Sequence, residues 1–164
     1  MTTIHYPSSA NFSRLKAPIT ISVTPTIGTG LYTTADSVGG LLTFANAADV
    51  EYGTGVIKAV NLIDKDSEED AYELHLFNRS VTVAADHDPV AFSDADLAYY
   101  VGRIDIATGD YTTFAANSAA HTTADLPFNL ADAGTSLFGN LVVRGGPTYT
   151  ATSDLIITLV IQQD

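Results

Sequence analysis

The chain has 164 residues, enough for one domain with a sizeable core and no help from disulfides or metals. Nineteen Asp and Glu stand against seven Lys and Arg, a net charge of −12, which disfavours unaided binding to nucleic acid or to an anionic membrane. Cysteine is absent, so thiol nucleophiles, zinc–thiolate sites and disulfide frameworks are excluded together.

Residues 1–17 form a polar stretch in which Pro7 limits regular structure, and they are expected to be an extended arm preceding a single domain over 18–164. This arm holds Tyr6, Phe12, Arg14 and Lys16, two of the seven basic residues among them. Either it drapes over its own domain or it reaches a neighbouring molecule, because anionic chains that assemble must meet through something neutral or basic. Its first ten residues lack a basic region followed by an apolar run, so no signal peptide is expected. The longest apolar runs are far short of the roughly 20 residues of a membrane span. The expectation is a soluble protein made in the cytoplasm.

Ile19, Ile21 and Val23 alternate with Thr20, Ser22 and Thr24, predicting a first strand that stops at Pro25. A turn-like segment with Gly28 and Gly30 follows, and then a strand over 36–44 in which Gly39 and Gly40 predict a bulge. The third strand spans 56–64, with Ile57, Ala59 and Ile63 opposing Val56, Val60 and Leu62. After an acidic loop, residues 72–77 form a fourth strand and a plausible hairpin with the third; Tyr72, Leu74 and Leu76 face one way, Glu73, His75 and Phe77 the other. Residues 93–98 read as a short helical turn capped by Ser93 or Asp94. Strands are predicted over 99–106 and 110–115, with a brief extended piece at 126–130.

The strongest period-two signal lies in residues 136–164, which predict one long β-hairpin. Leu137, Gly139, Leu141 and Val143 form one face of its first strand, and Leu155, Ile157, Leu159 and Ile161 one face of its second. Phe138, Ile156, Thr158 and Val160 make the opposite faces mostly apolar as well. Such strands are central with both sides covered, or their outer side meets another subunit. About eight short strands, one tiny helix and no βα alternation predict an all-β antiparallel two-sheet sandwich. A jelly roll is its natural eight-stranded form, and periodicity alone leaves an immunoglobulin-like topology open.

Motifs for chemistry are sparse. Asp64, Asp66, Glu68, Glu69 and Asp70 invite a calcium reading, but Glu69 stands where an EF-hand loop needs Gly and His75 where it needs a bidentate Glu, so a solvated tip is expected. Carboxylates around Asp86, His87, Asp88, Asp94 and Asp96 suit backbone capping equally well. His5, His75, His87 and His121 have no metal-ligand spacing, no Gly-x-Ser-x-Gly elbow is present, and Trp is absent. Gly28-x-Gly30 lacks the third glycine and the following helix of a phosphate loop. No catalytic residue, cofactor or metal is assigned. A carbohydrate- or receptor-binding module is the alternative, with Tyr99, Tyr100 and Tyr149 as aromatic candidates.

Several segments stand together in a telling order. They are Tyr32-Thr33-Thr34-Ala35-Asp36-Ser37-Val38-Gly39-Gly40, Leu74-His75-Leu76-Phe77, Ala91-Phe92-Ser93-Asp94-Ala95-Asp96-Leu97 and Val101-Gly102. Leu137-Phe138-Gly139 through Arg144, Pro147-Thr148-Tyr149-Thr150 and a closing apolar strand complete the series. In this, residues 35–164 resemble small structural proteins of tailed bacteriophages, in particular jelly-roll head decoration (cement) proteins. The resemblance implies a homotrimer on the exterior of an expanded head, with the major capsid protein as partner. It implies no cofactor, nucleic acid or membrane, and synthesis in the host bacterial cytoplasm. The arm lies outside it, and Tyr6, Phe12, Arg14 and Lys16 are its candidate contacts with the capsid or a neighbouring copy.

Overall fold

A computed structural model describes residues 16–164. Among them, nine strands form two antiparallel sheets. The strands are β1 (Ile19–Val23), β2 (Ser37–Phe44), β3 (Thr54–Asp64), β4 (Tyr72–Phe77), β5 (Tyr100–Ile106), β6 (Tyr111–Thr113), β7 (Ser118–Asn129), β8 (Leu137–Val143) and β9 (Leu155–Gln163). One sheet has the order β1-β9-β3-β7-β6 and the other β2-β8-β4-β5. Without the three-residue β6, two four-stranded sheets remain in which successive strands mostly switch sheets, and that order is the jelly roll. The expected all-β sandwich is therefore present. Among the described residues, helix is confined to α1 (Asp94–Leu97), whose N-cap Ser93 accepts from the Asp96 amide, and to a 3-10 turn at Thr108–Asp110.

The long C-terminal hairpin does not form. β8 lies between β2 and β4, β9 lies between β1 and β3, and residues 144–154 cross from one sheet to the other. Period-two alternation reports a buried face and not the identity of the neighbour, so the two apolar runs look the same whether they pair or oppose. Leu137, Leu141 and Val143 instead share the core with Leu155, Ile157, Leu159 and Ile161, with 0% exposure at all seven. For the same reason β3 and β4 are not a hairpin but belong to opposite sheets.

Two further differences have local causes. A bulge between Ile57 and Ala59 shifts β3 by one residue, so Ile57 points inward together with Val60 and Leu62 while Ile63 faces out. β7 is twelve residues long, where only 126–130 was expected. Its inward positions Ala120, Thr122 and Ala124 are small, because β5 closes against β7 on this side. There the Leu126 side chain lies 2.8 Å from where a Cβ on Gly102 would sit. The bulge in β2 is where the glycines placed it: Gly39 and Gly40 have φ of 73° and 67°, and a Cβ at Gly39 would meet Pro25 at 2.4 Å.

Residues 78–99, the connection from β4 to β5, form a strap over the outer side of the four-stranded sheet. Phe92 packs edge-on against Phe77 at 5.0 Å and tilts over His75 at 5.4 Å. Backbone bonds hold the strap to the start of β2: Ser37 N donates to Asp88 O (2.8 Å), His87 N to Ser37 O (3.0 Å) and Val90 N to Ala35 O (2.8 Å). Phe77 and Val142, both 0% exposed, lie outside the inter-sheet core cluster. Each such burial is worth roughly 1.5–3 kcal/mol.

Candidate functional site

The outer side of the five-stranded sheet has no such cover among the described residues. The register sets its side chains in rows across the strands. One row runs Ile156, Ile63, Ala119, Thr112; the next runs Ser22, Thr158, Asn61, His121. A third is Thr20, Val160, Ala59, Thr123, and a fourth Gln162, Val56, Pro127. Apart from the imidazole of His121 and the ring of Pro127, these side chains are β-branched, small or amide. Two hydrogen bonds tie neighbouring strands within the polar row, Ser22 Oγ with Thr158 Oγ1 at 2.7 Å and His121 Nδ1 with Asn61 Oδ1 at 2.7 Å. Lys58, carried by the bulge, pairs with Asp125, so the charges the face does hold cancel. On a chain of net charge −12, this face is neutral.

Apart from that of Asp125, the clustered carboxylates lie elsewhere. Those of the 64–70 loop are not a solvated tip but clasp the β8–β9 connection. Asp64, wholly buried, accepts from the amides of Asp66 (3.0 Å) and Glu69 (2.9 Å), and burial pushes its carboxyl above the usual range. Asp66 accepts from Thr150 N at 2.6 Å, which holds its carboxyl low, and Glu68 accepts from Thr148 N at 3.2 Å. Their lone pairs are spent on backbone donors, and among the described residues no group of three His, Asp or Glu is placed to hold a metal ion.

On the four-stranded sheet, Glu73 is the centre of a charged network. It accepts from Arg144, from Arg103 at 3.1 Å and from His75 Nε2 at 3.1 Å. The Arg144 bond, helped by both guanidinium charges, holds Glu73 below the ordinary glutamate value despite its desolvation. His75 Nδ1 meets the Tyr100 hydroxyl at 3.1 Å, making it the hydrogen-bonded sheet residue expected. Desolvation lowers its imidazole in spite of Glu73. His87 pairs with Asp86 at 2.8 Å, but its other nitrogen faces the Gly30 carbonyl at 3.3 Å and not a nucleophile.

The aromatic candidates are scattered. Tyr149 is buried and its hydroxyl meets that of Tyr72, while Tyr100, 38% exposed, packs on Phe77. Tyr52, in the loop before β3, and Phe114, which the predicted 110–115 strand includes but which lies just past β6, are 60% and 56% exposed. They lie beyond opposite ends of the eleven-residue β3, on the order of 35 Å apart, and do not make one stacking platform. Within the strap a shallow cavity of about 430 Å³ is lined by Thr82, Ala84, Ala91 and Asp96, whose carboxylate already accepts from Ser93 and the Thr82 amide.

Of the arm residues, Tyr6, Phe12 and Arg14 lie outside the described residues. Lys16 is set against the domain, donating to Asp49 at 2.9 Å and to the Asp164 carbonyl at 2.6 Å, while Gln162 donates to its own carbonyl. Among the described residues, no helix is long and apolar enough to cross a membrane.

No protein-family model and no curated protein matches the chain. Among solved structures it is similar to a chain of the native virion of Kashmir bee virus at acidic pH, at 13% identity over 100% of this chain and 82% of that one, with a TM-score of 0.34. A chain of Desmodium yellow mottle tymovirus is similar at 10% identity over 100% and 91%, with a TM-score of 0.27. At these scores neither likeness bears on function.

Proposed function

We propose that the chain is a non-enzymatic virion structural protein, a decoration protein on the exterior of a tailed-phage head that ties capsid subunits together. It acts as a homotrimer whose copies meet through the neutral face of the five-stranded sheet, and its N-terminal arm engages the major capsid protein. The observation that carries this is the neutrality of that one face. Copies of net charge −12 repel one another wherever unpaired carboxylates are brought within a Debye length of about 8 Å, and a contact through a face of mostly uncharged side chains, with its one acid Asp125 paired to Lys58, avoids most of that cost. Five strands by four rows cover about 20 by 25 Å, the order of magnitude of one side of a specific interface.

The arm supports the second half of the reading. Residues 1–17 contain no Asp or Glu but hold Arg14 and Lys16, opposite in sign to the rest of the chain. Tyr6 and Phe12 are the kind of aromatic anchor that fills a partner's pocket. Lys16, fixed to Asp49 and Asp164, roots the arm on the domain. The test is co-sedimentation with expanded tailed-phage heads. Deleting residues 1–15 is expected to abolish binding while leaving thermal stability and oligomeric mass unchanged; full binding by the truncated protein contradicts the assignment.

A further inference from the structure

The Gly28-x-Gly30 pair matches no phosphate loop, and the structure gives it another use. The ring of His87 sits against this segment: a Cβ at Gly28 would come within 2.5 Å of the His87 ring and one at Gly30 within 3.3 Å. On another side the imidazole stacks on Tyr32 with ring centroids 3.7 Å apart. His87 itself has φ of 67°, a left-handed conformation uncommon outside glycine, so the strap backbone is bent to deliver this ring.

Both ring nitrogens face acceptors. Nδ1 lies 2.8 Å from Asp86 Oδ2 and Nε2 lies 3.3 Å from the Gly30 carbonyl. A neutral imidazole has one N–H and satisfies one of these; only the imidazolium donates to both. Asp86 is in turn a hub, accepting from Gly28 N (2.8 Å), Gly39 N (2.6 Å) and the Tyr32 hydroxyl (2.7 Å). Strap, β1–β2 connection and β2 bulge are thereby tied at one point. We propose that the Asp86–His87 pair, docked in the Gly28–Gly30 cradle, is a pH-sensitive latch that holds the strap of residues 78–99 on the four-stranded sheet when His87 is protonated and loosens it when His87 is neutral.

The charged and titratable groups facing the ring are Asp86 from its own segment, Asp36 from the approach to β2, and Tyr32. Burial works against the charged ring, but the bonds to Asp86 and Gly30 and the charges of Asp86 and Asp36 outweigh it, leaving His87 above its ordinary value. Asp86 is desolvated too, yet the donors from Gly39, Tyr32, His87 and Gly28 hold it below the usual range. The signs follow. A raised histidine contributes fully below about 6.5 and loses its contribution as pH rises through the folded-state value; a lowered aspartate contributes above about 3.9 and loses it as pH falls through its own. The latch is therefore tightest in mild acid and opens toward alkaline pH.

Hydrogen exchange of the strap amides, corrected for intrinsic rates, tests this on the full chain. Between pH 5.5 and pH 9, protection over residues 78–92 is expected to fall on the order of tenfold, the low end for a charge-assisted hydrogen bond. The strands of the five-stranded sheet should not follow. In His87→Gln the strap should show low protection at both pH values, whereas His121→Gln, on the opposite sheet, should leave the pH dependence of strap protection as in the parent chain. Should His87→Gln not fold, the imidazole titration of the parent protein by NMR decides, with His87 expected to titrate above its ordinary value. A pH-independent strap, an unchanged profile in a folded His87→Gln, or His87 titrating at or below its ordinary value overturns the proposal.

Discussion

Val142 on β8 and Val160 on β9 both point away from the core from the central part of their sheets, yet Val142 is fully buried and Val160 is partly exposed. The difference lies in what the chain does beyond each sheet. Over the four-stranded sheet it spends residues 78–99 on a cover, and that sheet also carries the Glu73, Arg103 and Arg144 network. Over the five-stranded sheet it places no described segment and almost no charge. An apolar outer position is covered within the chain in the first case and left uncovered by the described residues in the second.

That contrast is sharpened most strongly by truncating one apolar side chain on each face. Phe77→Ala empties the space beneath Phe92 and is expected to cost about 3–5 kcal/mol in denaturant unfolding. Ile63→Ala, at 39% exposure, should cost no more than about 1 kcal/mol in the isolated chain. Equal losses at the two sites would erase the distinction.

A smaller effect is expected at the charged network. Glu73→Gln should cost roughly 1 kcal/mol at neutral pH, since its carboxylate is mostly sheltered but its arginine partners are partly exposed. Because Glu73 is held low, its contribution is present above about 4.3 and lost as pH falls through the folded-state value, so the variant's stability should fall less steeply in acid than the parent's. The smallest effect is at the strap's own helix: Ser93→Ala removes the cap on Asp96 N and should cost about 1 kcal/mol or less, read as faster exchange over residues 93–98 with the sheets unaffected.

The fold was legible where alternation and turn chemistry carry it. β1, β2 with its glycine bulge, β4 and the Ser93-capped turn all lie where the residues predict them. Pairing was not legible: Leu155, Ile157, Leu159 and Ile161 announce a buried face, but nothing in them says that β1 and β3 flank it, because ladder bonds are made by a backbone common to all residues. The β3 bulge was hidden for a related reason, since Lys58 and Ala59 carry none of the glycine signal present at Gly39. β7 was missed because Ala and Thr face inward where the sheets converge, giving no apolar period to read. The neutral face was half legible, as the second apolar side of β9; its extension through Asn61, His121 and Thr123 needed the register. The His87 cradle joins Gly28 to a residue 59 positions away, and only the fold brings them together.

The central claim is that the neutral face joins copies of the chain, and the mass of the purified protein in solution tests it most directly. Light scattering after size exclusion should give about 52 kDa, three times the 17.3 kDa chain, with that mass falling to 17.3 kDa in the double variant Ile63→Glu with Thr123→Glu. The substitutions lie at exposed positions and should leave the chain folded, with unfolding stability lowered by no more than about 1 kcal/mol. A parent chain that stays monomeric, or a folded double variant that keeps the trimer mass, would contradict the account.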